Sequence, residues 1–246
     1  ILMADYADDE TKSVSLWNLK GSLSQRAGDL GAASTAYSKA LEFDEKNVAA
    51  RLNLARIQLI QGDNERARRD YRAVLDEQPK NAAAMTGLAQ LAIMDGDTPS
   101  AVSWLEKARE ADAKALRARL LLGQQYLRLG NTDLASEVSA EAYSLAPNDP
   151  DTNNLDGLVK LSSGSFPLAE ARFVAAIEAR PDEPHFAFNR ARTLMQMQRT
   201  DEAYDIVSEV YTRHPEHQGS AVLYAALLAQ DGRWEEAFKV TDDLQS

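Results

Sequence analysis

The sequence predicts an all-α chain, a solenoid of stacked antiparallel helix hairpins in about seven 34-residue units. Three observations predict it. Gly28, Gly62, Gly96, Gly130, Gly164 and Gly232 lie at multiples of 34 residues, in a series that only Gln198 breaks. Five positions after each of these slots stands an alanine: Ala33, Ala67, Ala101, Ala135, Ala169, Ala203 and Ala237. Seventeen positions after, Pro79, Pro147, Pro181 and Pro215 hold four slots, with Glu45 and Ala113 in two others. A fixed period of this length marks an array whose units pack on their neighbours around one elongated core.

The frame reads residues 14–246 as seven units: 14–47, 48–81, 82–115, 116–149, 150–183, 184–217 and an incomplete 218–246. Residues 1–13 read as the tail of a preceding repeat or an N-terminal extension, since Met3 and Tyr6 stand one period before Tyr37 and Ala40. With no polar capping repeat at either end, the expectation is a segment of a longer array.

Within a unit each element has a local cause. In the second, Leu52, Leu54, Ala55, Ile57, Leu59 and Ile60 follow a helical pattern up to Gly62. After the turn, Ala67, Tyr71, Val74 and Leu75 again mark one helical face. The glycine permits the turn because it reaches positive φ without steric cost. Asp29, Asp63, Asp97 and Asn131 follow it, placed to cap the next helix, and Thr98-Pro99 reads as a threonine cap before a first-turn proline. The later prolines stop the second helix. The repeated alanine faces small residues on the first helix, namely Gly21, Ala55, Ala89, Gly123, Gly157, Ala191 and Ala225, where a larger side chain would overpack the crossing. Trp17, Tyr37, Tyr71, Trp104 and Phe173 are expected to fill the remaining space as core.

Such a unit resembles the tetratricopeptide repeat, and the resemblance implies a right-handed superhelix over nearly the whole chain. Gln198 departs from it at the turn, and Val207 and Thr241 at the aromatic slot, so the sixth and seventh units are expected to be looser.

Composition narrows the function. Net charge of −11 argues against nucleic-acid binding through a generally basic surface. No segment approaches the roughly 18 apolar residues of a membrane span. With no cysteine, disulfide and thiolate chemistry are out of reach. His214 and His217 flank Pro215-Glu216 in an inter-unit turn without further ligands, so no metal is expected, and no cofactor either. Ser162 and Ser163 have no histidine in a triad relation, and the glycines come one per unit, unlike a phosphate loop. The sequence reads as non-enzymatic.

In tetratricopeptide proteins the concave surface is lined by the second, fifth, ninth, twelfth and thirteenth positions of each unit. Carried onto this chain, those slots imply a partner-binding groove containing Asn18, Arg26, Leu52, Arg56, Gln90, Arg117, Leu120, Gln124, Arg128, Asn154, Phe188 and Arg192. Five arginines and one carboxylate, Asp151, then face inward, while acids such as Asp70, Glu141 and Glu202 collect on the second helices. A cationic, partly apolar groove suits a protein or peptide partner with acidic or amphipathic character. The competing reading pairs these arginines with neighbouring acids. Chaperone-binding members hold a terminal carboxylate with lysine and asparagine at the fifth and ninth slots. Asn18, Ser22, Thr86 and Gln90 occupy those slots here, so that clamp is not present.

Residues 81–131 ("NAAAMTGLAQLAIMDGDTPS…") and 52–75 ("LNLARIQLIQGDNERARRDYRAVL") also resemble the bacterial exosortase/PEP-CTERM-associated tetratricopeptide lipoprotein, encoded with exopolysaccharide machinery. That resemblance implies a periplasm-facing envelope scaffold in polymer export or protein sorting. Two alternatives stand beside it. A carbohydrate-guiding module would need aromatic platforms such as Phe188, Tyr126 and Trp17. A cytoplasmic adaptor binding one helical peptide would need the apolar trough that Leu52, Leu59, Ile60, Ile93 and Met94 could form.

Overall fold

The computed structural model describes residues 13–244, and every regular element among them is a helix. The expectations for Met3, Tyr6 and the chain's last two residues lie outside the described part. Fourteen helices follow one another: α1 (Val14–Arg26), α2 (Leu30–Phe43), α3 (Val48–Ile60), α4 (Asn64–Glu77), α5 (Ala82–Met94), α6 (Thr98–Ala111), α7 (Leu116–Arg128), α8 (Thr132–Leu145), α9 (Pro150–Ser162), α10 (Phe166–Ala179), α11 (Pro184–Gln196), α12 (Thr200–Arg213), α13 (Gln218–Gln230) and α14 (Trp234–Asp243). They form two compact units, Ile1–Ala118 and Arg119–Ser246, with the boundary in the first turn of α7.

Each turn between the helices of a hairpin closes in the same way. Gly62 sits at φ 78°, its N–H donating to Leu59 O and that of Asp63 to Gln58 O. This satisfies carbonyls that the helix end leaves free. Gln198 adopts φ 60° and keeps both bonds, through its own N–H to Met195 O and that of Arg199 to Leu194 O. The motif therefore survives without glycine, at the cost of a left-handed glutamine.

Helix starts follow the caps with two corrections. Asp29, Asp63 and Asp97 accept from the N–H three residues on, at 2.8, 3.3 and 3.1 Å. Asn131 makes no such bond. The cap of α6 is Asp97, so Thr98 and Pro99 are already helical, one residue earlier than the threonine-cap reading. Asn47, Asn81 and Asp149 cap the first helices of their hairpins in the same fashion.

In the first unit the core runs from hairpin to hairpin. Tyr37, Ala33 and Ala40 pack with Ala50, Leu54 and Ile57 of the next hairpin. Ala55, Ala67, Tyr71 and Val74 do the same with Ala84, Leu88 and Leu91. Burial of one such Leu or Ile contributes about 1.5–3 kcal/mol, so each hairpin depends on its successor for much of its stability.

The small-residue slots are real contacts, but their fillers differ from the expectation in one unit of each half. Tyr37 and Phe173 do lie against Gly21 and Gly157. Trp104 does not fill the matching place. Leu105 stands one period after Tyr71 and is fully buried there, while Trp104 is half-buried beside it with Lys107 Nζ 4.7 Å from its ring centre. In the second unit Ser139 holds the aromatic slot and is too short, so Leu155 from the next hairpin fills the notch at Gly123. Ser139 instead faces Asp156 at 3.5 Å, a buried carboxylate paired with Arg172 at 2.7 Å, and Arg172 in turn donates to the Tyr143 hydroxyl. At the C-terminal end Val207 is fully buried, and Tyr204 and Tyr211 pack against Tyr224 at 5.4 and 5.5 Å between ring centres. Those tyrosines supply the bulk that Val207 lacks.

Candidate functional site

The arginines of the chain divide by what they meet. Arg51 and Arg119, at the fourth position of their units, reach acids on the following helix: Arg51 to Asp70 at 3.0 Å and Arg119 to Glu141 at 2.9 Å. Arg199 is held between Glu170 and Glu202, which keeps its pKa above the usual guanidinium value and holds Glu202 below the usual carboxylate range. Arg180 takes both oxygens of Asp151, at 3.2 and 3.1 Å, so the one inward carboxylate is already engaged. Arg56, Arg117 and Arg192 have no acid within ion-pair distance among the described residues, and all three are exposed. Arg51 and Arg119 occupy a different helix face from Arg56, Arg117 and Arg192, because positions two and nine look away from the second helices that position four meets.

In the first unit Arg56 and Arg117 border one cleft of about 530 Å³. It opens between α3, α5 and the start of α7. Leu59, Ile60 and Leu116 give it apolar walls, Gln25 and Gln90 stand on its border, and Tyr71 forms its base. Leu52 lies to the side, packed on the core cluster around Ala55. Asn18 is half-buried and donates to Asn47 Oδ1 at 3.2 Å, an interaction that supports the cap of α3. Arg26 is exposed at the end of α1.

The second unit has its own cleft of about 680 Å³, with Gln124, Leu127, Leu158, Leu161, Arg192 and Met195 in its lining. Arg192 stands 5.6 Å over the Phe188 ring, and Phe188 meets His217 edge-on at 5.5 Å. Leu120 is half-buried, and Arg128 is exposed with its Nη2 donating to Gln125 Oε1 at 2.8 Å.

Asn154 requires a correction. It is 5% exposed, and its Oδ1 accepts from Asn189 Nδ2 at 2.9 Å, so it joins two helices instead of facing a groove. Tyr126 is likewise buried at 7% and offers no platform. The sequence reading missed His217, which caps α13 by accepting from the Ser220 N–H at 3.2 Å. Its place one period after Glu183, at the start of a first helix, was the available signal. No group of three metal-ligating side chains occurs among the described residues, and none of their helices is long and apolar enough to cross a membrane.

Models of the tetratricopeptide repeat match residues 14–47, 36–69, 59–115, 116–149 and 156–217. The chain belongs to the tetratricopeptide repeat family. Solved structures of similar fold include a tetratricopeptide repeat protein from Parabacteroides merdae, 19% identical with a TM-score of 0.72, covering 94% of this chain and 92% of that one. Pseudomonas aeruginosa PilF is 17% identical with a TM-score of 0.74, covering 90% of this chain and 98% of its own. PilW, a type IV pilus biogenesis factor, is 18% identical with a TM-score of 0.71, covering 84% and 96%. The comparison with curated proteins returns no match. At these identities the likeness establishes the fold.

Proposed function

We propose that this tetratricopeptide repeat chain is a non-enzymatic scaffold that binds a partner polypeptide, acidic or amphipathic in character, along its first-helix clefts. One observation carries the reading: Arg56, Arg117 and Arg192 border clefts with apolar walls and have no internal acid, while Arg51, Arg119 and Arg199 are paired. Unpaired guanidiniums beside apolar surface give a partner both charge steering and anchoring pockets. The setting we assign is the bacterial envelope, facing the periplasm, in exopolysaccharide export or protein sorting. Its support is the resemblance of residues 52–75 and 81–131 to the exosortase-associated lipoproteins.

The test is affinity capture from a bacterial envelope extract with the wild-type chain and an Arg56/Arg117/Arg128/Arg192→Glu variant. A partner that wild type retains, charge reversal loses and salt weakens supports the scaffold reading. Identical capture by both proteins overturns it. Recovery of polysaccharide without protein would favour a carbohydrate-guiding role. A partner found only in cytosolic extract would move the assignment to a cytoplasmic adaptor.

A further inference from the structure

Tyr37 and Tyr71 are equivalent residues one period apart, and both rings are buried. Tyr37 donates its hydroxyl to Gln25 Oε1 at 3.3 Å. One period after Gln25 stands Leu59, which offers no acceptor. The Tyr71 hydroxyl is therefore left without a hydrogen-bond partner among the described residues, at the base of the first-unit cleft, although the residue is only 1% exposed. The phenol oxygen is open to the cleft, where a group entering from solvent can accept from it. Burial raises the Tyr71 pKa, and Arg56 and Arg117 each act to lower it, so both guanidiniums lie close enough to feel the same phenol. Three donor groups from α3, α4 and α7 thus converge on one cavity. Asp112, the acid on its border, has Oδ1 turned to the Lys114 N–H at 2.8 Å.

We propose that this cleft is a carboxylate pocket, taking one aspartate or glutamate side chain of a bound peptide between Arg56 and Arg117, with the Tyr71 hydroxyl donating to the same group. The proposal rests on the scaffold reading above and specifies what one of its clefts selects. Guanidinium forks match the two oxygens of a carboxylate. The apolar walls at Leu59, Ile60 and Leu116 suit aliphatic residues flanking the acid in the peptide. Those walls and the charge of Asp112 disfavour the dianion of a phosphorylated residue, which demands more donors than the cleft supplies.

The test is a selection of random twelve-residue peptides displayed on phage against the full chain. The best sequence is then synthesised and its binding measured by fluorescence anisotropy. The expected winners share one acidic residue with aliphatic neighbours. The glutamine analogue of that peptide, and the Arg56→Gln/Arg117→Gln protein, each bind about thirtyfold more weakly. Tyr71→Phe, which keeps the ring, weakens binding about fivefold. Winners without an acid, or equal binding of the glutamine analogue, overturn the pocket and leave the scaffold reading standing. Binding unchanged in the double-glutamine protein has the same meaning. Tighter binding of a phosphoserine analogue overturns the carboxylate assignment. If no peptide is selected, both readings fall.

Discussion

The Tyr71 ring lies against the backbone of Gly87, so closely that a Cβ at Gly87 would stand 2.5 Å from Tyr71 Cε1. The two residues belong to consecutive hairpins, and the contact sets how near α4 and α5 approach. Tyr71 is also the base of the first-unit cleft, so the inter-hairpin contact and the proposed carboxylate pocket share one side chain.

Gly87→Ala is therefore expected to destabilise the protein by about 1–3 kcal/mol, because the enclosed ring cannot retreat. Gly31→Ala is the control: its Cβ would meet only Asp29 Oδ1, at an ordinary 3.5 Å. That substitution should be neutral or stabilise by up to about 1 kcal/mol through helix propensity. Urea unfolding of both variants checks the contrast, and equal effects would remove the packing argument.

Gln198 carries the left-handed turn that glycine holds elsewhere. Gln198→Gly should stabilise by about 0.5–1 kcal/mol, the relief of αL strain less the added freedom of the unfolded chain. Gly62→Ala, at φ 78°, should cost about 1 kcal/mol by the same reasoning reversed. Thermal unfolding of the pair decides it.

His217 caps α13 through Nδ1, which accepts only while the ring is neutral. Burial pushes its pKa below the ordinary 6.5, and His185 and His214 push the same way, against the opposing pull of Glu183 and Glu216. The unfolded chain then binds the proton more readily than the fold. The cap's contribution is present above about pH 6.5 and is lost as pH falls through the depressed folded value. Stability should drop from pH 7 to 5 in the wild type. His217→Asn keeps an acceptor without titrating, so its drop should be smaller. Calorimetric midpoints across that range test this.

Arg51 and Arg56 lie on the same helix, one paired with an acid and the other bordering a cleft. Arg51 joins Asp70 and donates from Nη2 to Glu45 O at 2.6 Å, and Gln58 holds the other Asp70 oxygen at 2.9 Å. Arg51→Ala should cost about 1–2 kcal/mol, since it strips a charge-assisted network that is only about a fifth exposed. Arg56→Ala should change stability by less than about 0.5 kcal/mol and weaken peptide binding instead. Denaturation curves and anisotropy on the same two proteins separate the roles.

The repeat, the hairpins and most of their caps were legible in the chain because their causes are local: a glycine's φ, an Asx side chain three residues from its amide, a proline that stops a helix. Of the residues that the repeat positions placed in a groove, Arg56, Arg117, Gln124 and Arg192 border clefts. Asn154 does not, and its place was not legible because its burial depends on Asn189, 35 residues away. The same holds for which arginines are paired. Arg51 meets its acid 19 residues on and Arg119 22 residues on, across a helix crossing whose rotation the repeat consensus leaves open.

By itself, then, the sequence determined an all-α array of 34-residue hairpins, because period and turn chemistry act within a few residues. The tertiary structure alone decided that Leu105 takes the aromatic slot beside Trp104, that Leu155 fills the notch at Gly123, and that Tyr71 lies at the base of a cleft with its hydroxyl unpartnered. Each depends on how closely neighbouring helices approach. Close packing settles that distance for all side chains at a crossing together, and no single position encodes it.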